Sequence, residues 1–233
     1  MQALKKIFQN TAHLFYPHTC AGCGSDILSK ENLLCARCIS NLPVTNFADH
    51  PHNPAEEIFF GRVNLKSAHS EFYFAKDSLI QHLVHQLKYK GNQPIGLYMG
   101  EMMGKTLHNS KRFEAIDALV PLPLYADKER KRGYNQAAII CNGMSQIMKI
   151  PVINDKLIRQ RYTETQTKKH RVERWENVEE SFIVNDATAL KGKHLLLVDD
   201  VVTTGATLEA ASIALLRVPA VTLSIATLMI AAK

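Results

Sequence analysis

Asp199 and Asp200 stand side by side behind a continuous apolar run, and Thr203, Thr204, Gly205, Ala206 and Thr207 follow at once in HLLLVDDVVTTGATL. A strand apolar at every position is covered on both faces. Small and hydroxylated residues around a glycine, opening a helix, leave backbone N–H groups free at the positive end of the helix dipole. That arrangement binds a phosphate. The two carboxylates repel phosphate, so they must face hydroxyl groups or a metal ion. A phosphorylated sugar fits both halves, with its hydroxyls turned toward Asp199 and Asp200 directly or through Mg2+.

A second set of chemical groups lies near the amino terminus. Cys20 and Cys23 form CAGC, Cys35 and Cys38 form CARC, and eleven residues separate the two pairs. A two-residue spacer lets one tight turn present two thiolates, and four thiolates complete a tetrahedron around zinc with no position left for water. The metal is therefore expected to be structural. Disulfides belong to oxidising compartments, and a redox CxxC stands singly beside a βαβ unit rather than duplicated. His18, His50 and His52 lie close by but are not needed by a complete set. Cys141 stands apart within an apolar helical pattern, where a buried free thiol is the default.

These groups need elements to hold them. The first fifteen residues carry Leu4, Ile7, Phe8, Thr11 and Phe15 at near-helical spacing, which predicts a short amphipathic helix. No secretion signal or span-length apolar run is present, so a cytoplasmic location is expected. Residues 46–57, NFADHPHNPAEE, are polar and without period and read as a linker. Behind them strands are expected at 70–75, 115–123, 151–154, 156–160, 193–198 and 220–230. Helices are expected from an Asp77 cap to near Gly91, at 94–108, at 134–149 and at 205–217. Strand and helix in alternation predict an α/β fold with a mostly parallel sheet flanked by helices, and ligands then bind at the carboxyl ends of the strands. GEMMGKT, residues 100–106, has three residues between its glycines instead of a nucleotide loop's four. Gly96, Gly100 and Gly104 are better explained by close helix packing. The net charge of +6 is concentrated in residues 128–132 and in residues 155–175, where seven Lys/Arg face three acids. An anionic partner is implied.

LLLVDDVVTTGAT closely resembles the signature of type I phosphoribosyltransferases, which bind phosphoribosyl pyrophosphate (PRPP). FYPHTCAGCG, LKYKG, VPLPL, RKRGYNQA and RYTETQTKKHRVERWENVEESF resemble segments of the ComF family of competence proteins. The joint similarity covers nearly the full length. It implies residues 1–45 as an amino-terminal helix and zinc module, 46–57 as the linker and 58–233 as a type I phosphoribosyltransferase-like domain. By the same resemblance Asp199 and Asp200 are the catalytic acids. They face the ribose hydroxyls and stabilise positive charge on the sugar as its anomeric bond breaks. Val201, Thr203, Thr204, Gly205, Ala206 and Thr207 form the PRPP loop, with residues 203–207 on the 5-phosphate.

Arg130 and Arg132 can fork onto diphosphate oxygens. Asn135 and Gln136 either complete that contact or cap the following helix, and Lys88 in LKYKG joins the site. Residues 159–177 resemble the flap that closes over PRPP, with Arg159, Gln166, Lys168, Lys169, Arg171 and Arg174 facing the diphosphate. The same basic stretch would equally hold nucleic-acid phosphates, with Tyr162 and Trp175 stacking bases.

Three functions are compatible with these features. One is a PRPP- and Mg2+-binding ComF-type protein tied to DNA uptake, natural transformation and single-stranded DNA, with DNA-uptake proteins as partners. The second is an active phosphoribosyltransferase of nucleotide metabolism with a base or amine acceptor. The third is a non-catalytic nucleic-acid adaptor. Position 2 is Gln2, not cysteine, so a glutamine-hydrolysing nucleophile is not expected.

Overall fold

The computed structural model describes residues 18–26, 32–160 and 181–231. The expected amino-terminal helix lies outside them. In chain order the elements are α1 (Ala36–Ser40), α2 (Pro54–Glu57), β1 (Ser67–Phe74), α3 (Leu79–Tyr89), α4 (Gln93–His108), β2 (Ala118–Pro121), α5 (Ala126–Arg132), α6 (Gln136–Met148), β3 (Leu157–Arg159), β4 (Phe182–Val184), α7 (Ala187–Leu190), β5 (His194–Val202), α8 (Ala206–Leu216) and β6 (Thr222–Ala231). Four parallel strands form the sheet in the order β1-β6-β5-β2. Val152 pairs in parallel with Leu119 at the β2 edge, and Val44 pairs antiparallel with Phe72 at the β1 edge. β3 and β4 form a separate antiparallel ribbon.

Central position explains the composition of β5. Leu195, Leu196, Leu197 and Val198 are fully buried, because both faces of the strand are covered. Leu196 and Val198 pack with α3, α4 and α6, while Leu195 and Leu197 pack with α8 and the segment before β1. Among the described residues no helix is long and apolar enough to cross a membrane.

α4 and α6 meet at their glycines. A Cβ on Gly100 would stand 2.2 Å from Ile140 O, and one on Gly143 2.1 Å from Leu97 O. GEMMGKT is therefore part of a helix pressed backbone to backbone against its neighbour. Gly100→Ala forces the two helices apart, a change that costs about 1–3 kcal/mol. The midpoint of urea unfolding should fall accordingly, and an unchanged midpoint would show that the contact is not tight.

Two local expectations change, and one basic stretch is placed. Ser78, not Asp77, caps α3: Ser78 Oγ accepts from Gln81 N–H, while Asp77 sits at φ +58 and its N–H donates to Gln81 Oε1. The basic stretch 128–132 lies within a helix, α5, that buries no residue and stops at Gly133 with φ +84. β5 does not end at the acids but runs on to Val202, with Asp199 paired to Thr227 and Val201 to Met229.

The stretch 46–57 is fixed against β1. Asn53 is buried, its Nδ2 donates to His50 O at 2.9 Å and Ala68 O at 3.0 Å, and its Oδ1 accepts from the first N–H groups of α2.

Candidate functional site

The loop between β5 and α8 turns at Gly205, whose φ is +77. An L side chain is strained at that angle, and a Cβ there would also stand 2.6 Å from Ile58 Cγ2 and 2.9 Å from Phe59 Cε1. Glycine is required on both counts. α8 opens with its first N–H groups lacking intrahelical acceptors. They border a cavity of about 60 Å³ lined by Asp199 and residues 201–208. Behind the loop, Arg62 donates to Thr204 O at 2.9 Å and Ile58 O at 3.0 Å and pairs with Glu209. Arg62 clamps the loop from a segment 142 residues away, and no short-range sequence pattern announces it.

The acids lie where the inward and outward alternation of β5 breaks. Leu196 and Val198 face the α3 side and Leu195 and Leu197 the α8 side, yet past the acids Val201 turns to the α3 side and Val202 to the α8 side. Asp200 is buried, and its Oδ2 lies 2.7 Å from Lys88 Nζ, on the last turn of α3. Asp199 is partly exposed at the cavity and accepts the Asp200 N–H at 2.8 Å. Burial and then the Asp200 charge push Asp199 up to about 8, against the Asp200 N–H hydrogen bond and the smaller pulls of Lys88 and Arg159. Lys88 answers the charge of Asp200, and burial beside a second acid raises the proton affinity of Asp199.

The remaining expected contacts separate into groups. Arg159 sits on β3 at the root of the expected flap, its guanidinium 4.0 Å from the Tyr125 ring centre and 5.2 Å from that of Phe182. Gln166, Lys168, Lys169, Arg171 and Arg174, with Tyr162 and Trp175, lie outside the described residues. Asn135 caps α6, its Oδ1 accepting the Ala137 N–H at 2.9 Å and its Nδ2 donating to Leu122 O at 3.0 Å. Gln136 is buried and accepts from Arg132, whose guanidinium lies 5.8 Å from the exposed Tyr89 ring. Arg130 is solvent-facing and pairs with Asp127. The fold therefore brings Asp199, Asp200, Lys88, Arg159 and the 203–207 loop to one end of the sheet, while Arg130 stays on the surface of α5.

The four front cysteines converge. Their Sγ atoms all lie within 4.8 Å of one another, and Cys23 Sγ is 3.7 Å from Cys35 Sγ. A disulfide needs about 2.05 Å, whereas zinc–thiolate bonds of about 2.3 Å set tetrahedron edges near 3.8 Å. The donor set and its spacing fit a four-thiolate metal site. Ser25 pulls Cys23 down to about 6 by hydroxyl and backbone hydrogen bonds, while burial and the crowding thiols push Cys38 up to about 12. Cys141, on α6, is fully buried and pushed well above its ordinary value by that burial.

A model of the phosphoribosyl transferase domain matches residues 135–233. The chain is 25% identical over 209 residues to competence protein F of Haemophilus influenzae, covering 85% of this chain and 90% of that protein. It is 27% identical over 146 residues to DNA utilization protein YhgH of Escherichia coli O157:H7, covering 61% and 63%. Competence protein ComFC of Bacillus subtilis is 33% identical over 99 residues, 42% of this chain and 38% of that protein. The matched region is thus less than two thirds of the length of YhgH and of ComFC.

Proposed function

From the premise that this chain belongs to the ComF family and carries a phosphoribosyltransferase-type domain, we propose that it binds PRPP with Mg2+ in the pocket between Asp199 and the 203–207 loop. The single observation carrying this reading is the cavity at the start of α8, lined by the 203–207 loop with the Asp199 carboxyl group on its rim. The 5-phosphate sits on those amides and on the threonine hydroxyls. Asp199 and Asp200 take the ribose hydroxyls, and Arg159 and the basic residues beyond it face the diphosphate. In a transfer, an acceptor nitrogen lone pair forms the bond to the anomeric carbon while the carbon–oxygen bond to diphosphate breaks, its electron pair leaving with the diphosphate. The carboxylates offset the positive charge on the sugar between those events. At the four cysteines we propose zinc, in a structural role.

Calorimetric titration with PRPP and Mg2+ tests the reading. An ionised carboxylate accepts hydroxyl hydrogen bonds about twice as strongly as a neutral carboxyl group, so affinity should rise as pH passes through about 8, where Asp199 loses its proton. Asp199→Asn should flatten that rise. The stability of the unliganded protein moves the other way. The folded state holds a proton that the unfolded chain has released, so this contribution is complete below the unfolded carboxyl value and is lost as pH rises through about 8. A pH-independent affinity would remove Asp199 from the sugar contact.

A second partner is favoured by one specific surface. Tyr89 is 69% exposed, Arg132 lies over its ring, and Lys128, Arg130 and Lys131 are exposed on α5 beside it. Aromatic rings stack bases and basic residues hold phosphates, as single-stranded DNA requires. Affinity for an oligothymidylate should fall steeply with salt. Neutralising Lys128, Arg130 and Lys131 should reduce the slope by about 0.7 for each phosphate that those residues had neutralised. An unchanged slope would rule out α5 as the binding surface.

A further inference from the structure

α3 touches both chemical sites of the chain. Near its start, Leu79 meets the first cysteine turn so closely that a Cβ on Gly22 would stand 2.7 Å from Leu79 Cδ1 and 2.9 Å from Cys38 Sγ. Two turns on, Gln86 Nε2 donates to Ala21 O, between Cys20 and Cys23, at 2.7 Å. The other end of the same carboxamide accepts from Asn92 Nδ2 at 3.1 Å, so Gln86 is held from both sides. Lys88 follows two residues later, about 200° around the helix, and reaches Asp200 at 2.7 Å. Ile80, Leu83, Val84 and Leu87 share one apolar cluster with Cys20, Leu34, Cys38 and Leu42. The Tyr134 hydroxyl donates to Leu87 O and fixes the turn that carries Lys88.

We propose that α3 couples the four-cysteine site to the acid pair: Lys88 is a positioning residue for Asp200, and metal in the cysteine site raises the affinity of the pocket for PRPP. This rests on the PRPP-binding reading above. The differential contact is the one between Gln86 and Ala21. With a cation among the thiolates, the Cys20–Cys23 turn is rigid and Ala21 O is a fixed acceptor. Without it, four crowded thiols hold the Cys20–Cys23 turn only through apolar packing, the last turn of α3 keeps its Tyr134 contact but loses the fixed anchor at Ala21, and Lys88 is held less firmly against Asp200. The acid pair is then less well matched by its nearest counter-charge. Coupling between two binding sites is reciprocal, at 5- to 150-fold in usual cases, so PRPP must strengthen metal binding by the factor with which metal strengthens PRPP binding.

The test measures the zinc affinity of the full-length, zinc-loaded protein by competition with a metallochromic chelator, at constant Mg2+, with and without PRPP. PRPP should raise zinc affinity about fivefold or more in the wild type. Gln86→Ala, which touches neither the cysteines' sulfurs nor the pocket, should abolish that increment, as should Lys88→Met, while Lys88→Arg should retain part of it. Circular dichroism confirms that each variant is folded, and the variants in the same mixture control for PRPP chelating zinc itself. If calorimetry shows PRPP bound but zinc affinity does not change, the coupling is overturned and the PRPP reading stands. If Gln86→Ala keeps the full increment, the route through α3 is overturned. If the zinc-loaded wild type binds no PRPP, both fall together.

Discussion

Asp200→Ala should weaken PRPP binding roughly 10- to 150-fold and also lower the melting temperature, whereas Lys88→Met combined with Asp200→Leu should recover the stability and none of the binding. Asp200 is 2% exposed and its only charged partner among the described ion pairs is Lys88 at 2.7 Å. Removing one member of such a pair strands the other in a poorly solvated place, at a cost on the order of 3 kcal/mol. For a chain of this size that is roughly 10 °C in melting temperature. An apolar pair of similar volume removes the stranded charge, and such replacements are often neutral or stabilising. Binding behaves differently, because a hydroxyl bonded to a charged acceptor contributes about 1.5–3 kcal/mol and no apolar side chain can supply it. Calorimetry and thermal melts on the single and double variants separate the two effects. A folded double variant that binds PRPP as tightly as the wild type would take Asp200 out of the sugar site.

The scaffold of that site was largely legible in the sequence because most of it is written in hydrophobic period. The continuous run 195–198 marks the central strand, and Ile80, Leu83, Val84 and Leu87 mark the buried face of α3. What was not legible lacks a period. α5 buries nothing and is held by local pairs such as Asp127 with Arg130 and by its glycine stop. The stretch 46–57 is fixed through side-chain to backbone hydrogen bonds of Asn53 rather than through an apolar face. The acids looked like the end of a strand because a carboxylate inside a sheet is costly. The strand continues because Lys88 from α3 answers one acid and the raised proton affinity of Asp199 answers the other. Arg62 escaped notice for a different reason: its role exists only once the chain has folded it onto a loop far away in sequence.

The largest stability change should come from stripping the cysteine site. The two CxxC turns do not lie on the surface as an appendage: Cys20, Leu34, Cys38 and Leu42 are buried in the cluster that includes Phe72, Ile80, Leu83 and Met99. Pro43 O accepts the Tyr73 N–H and Thr45 N–H donates to Glu71 O, so the chain leaving the module runs along the edge of β1. Structural zinc in peptide modules contributes about 10–16 kcal/mol of apparent binding free energy. Loss of even a fraction of it here loosens packing that reaches α3 and the sheet. Chelation, or Cys38→Ser, should therefore lower the melting temperature of the whole chain by more than about 10 °C and not merely release a local segment. Cys141→Ser should leave zinc stoichiometry unchanged, because that thiol is enclosed by α6 and the sheet and lies outside the four-cysteine cluster. Thiol titration during zinc release should count four newly reactive sulfurs per metal ion. A chain that gives up its metal, exposes those four thiols and still melts at the original temperature would show that apolar packing alone holds the module in place.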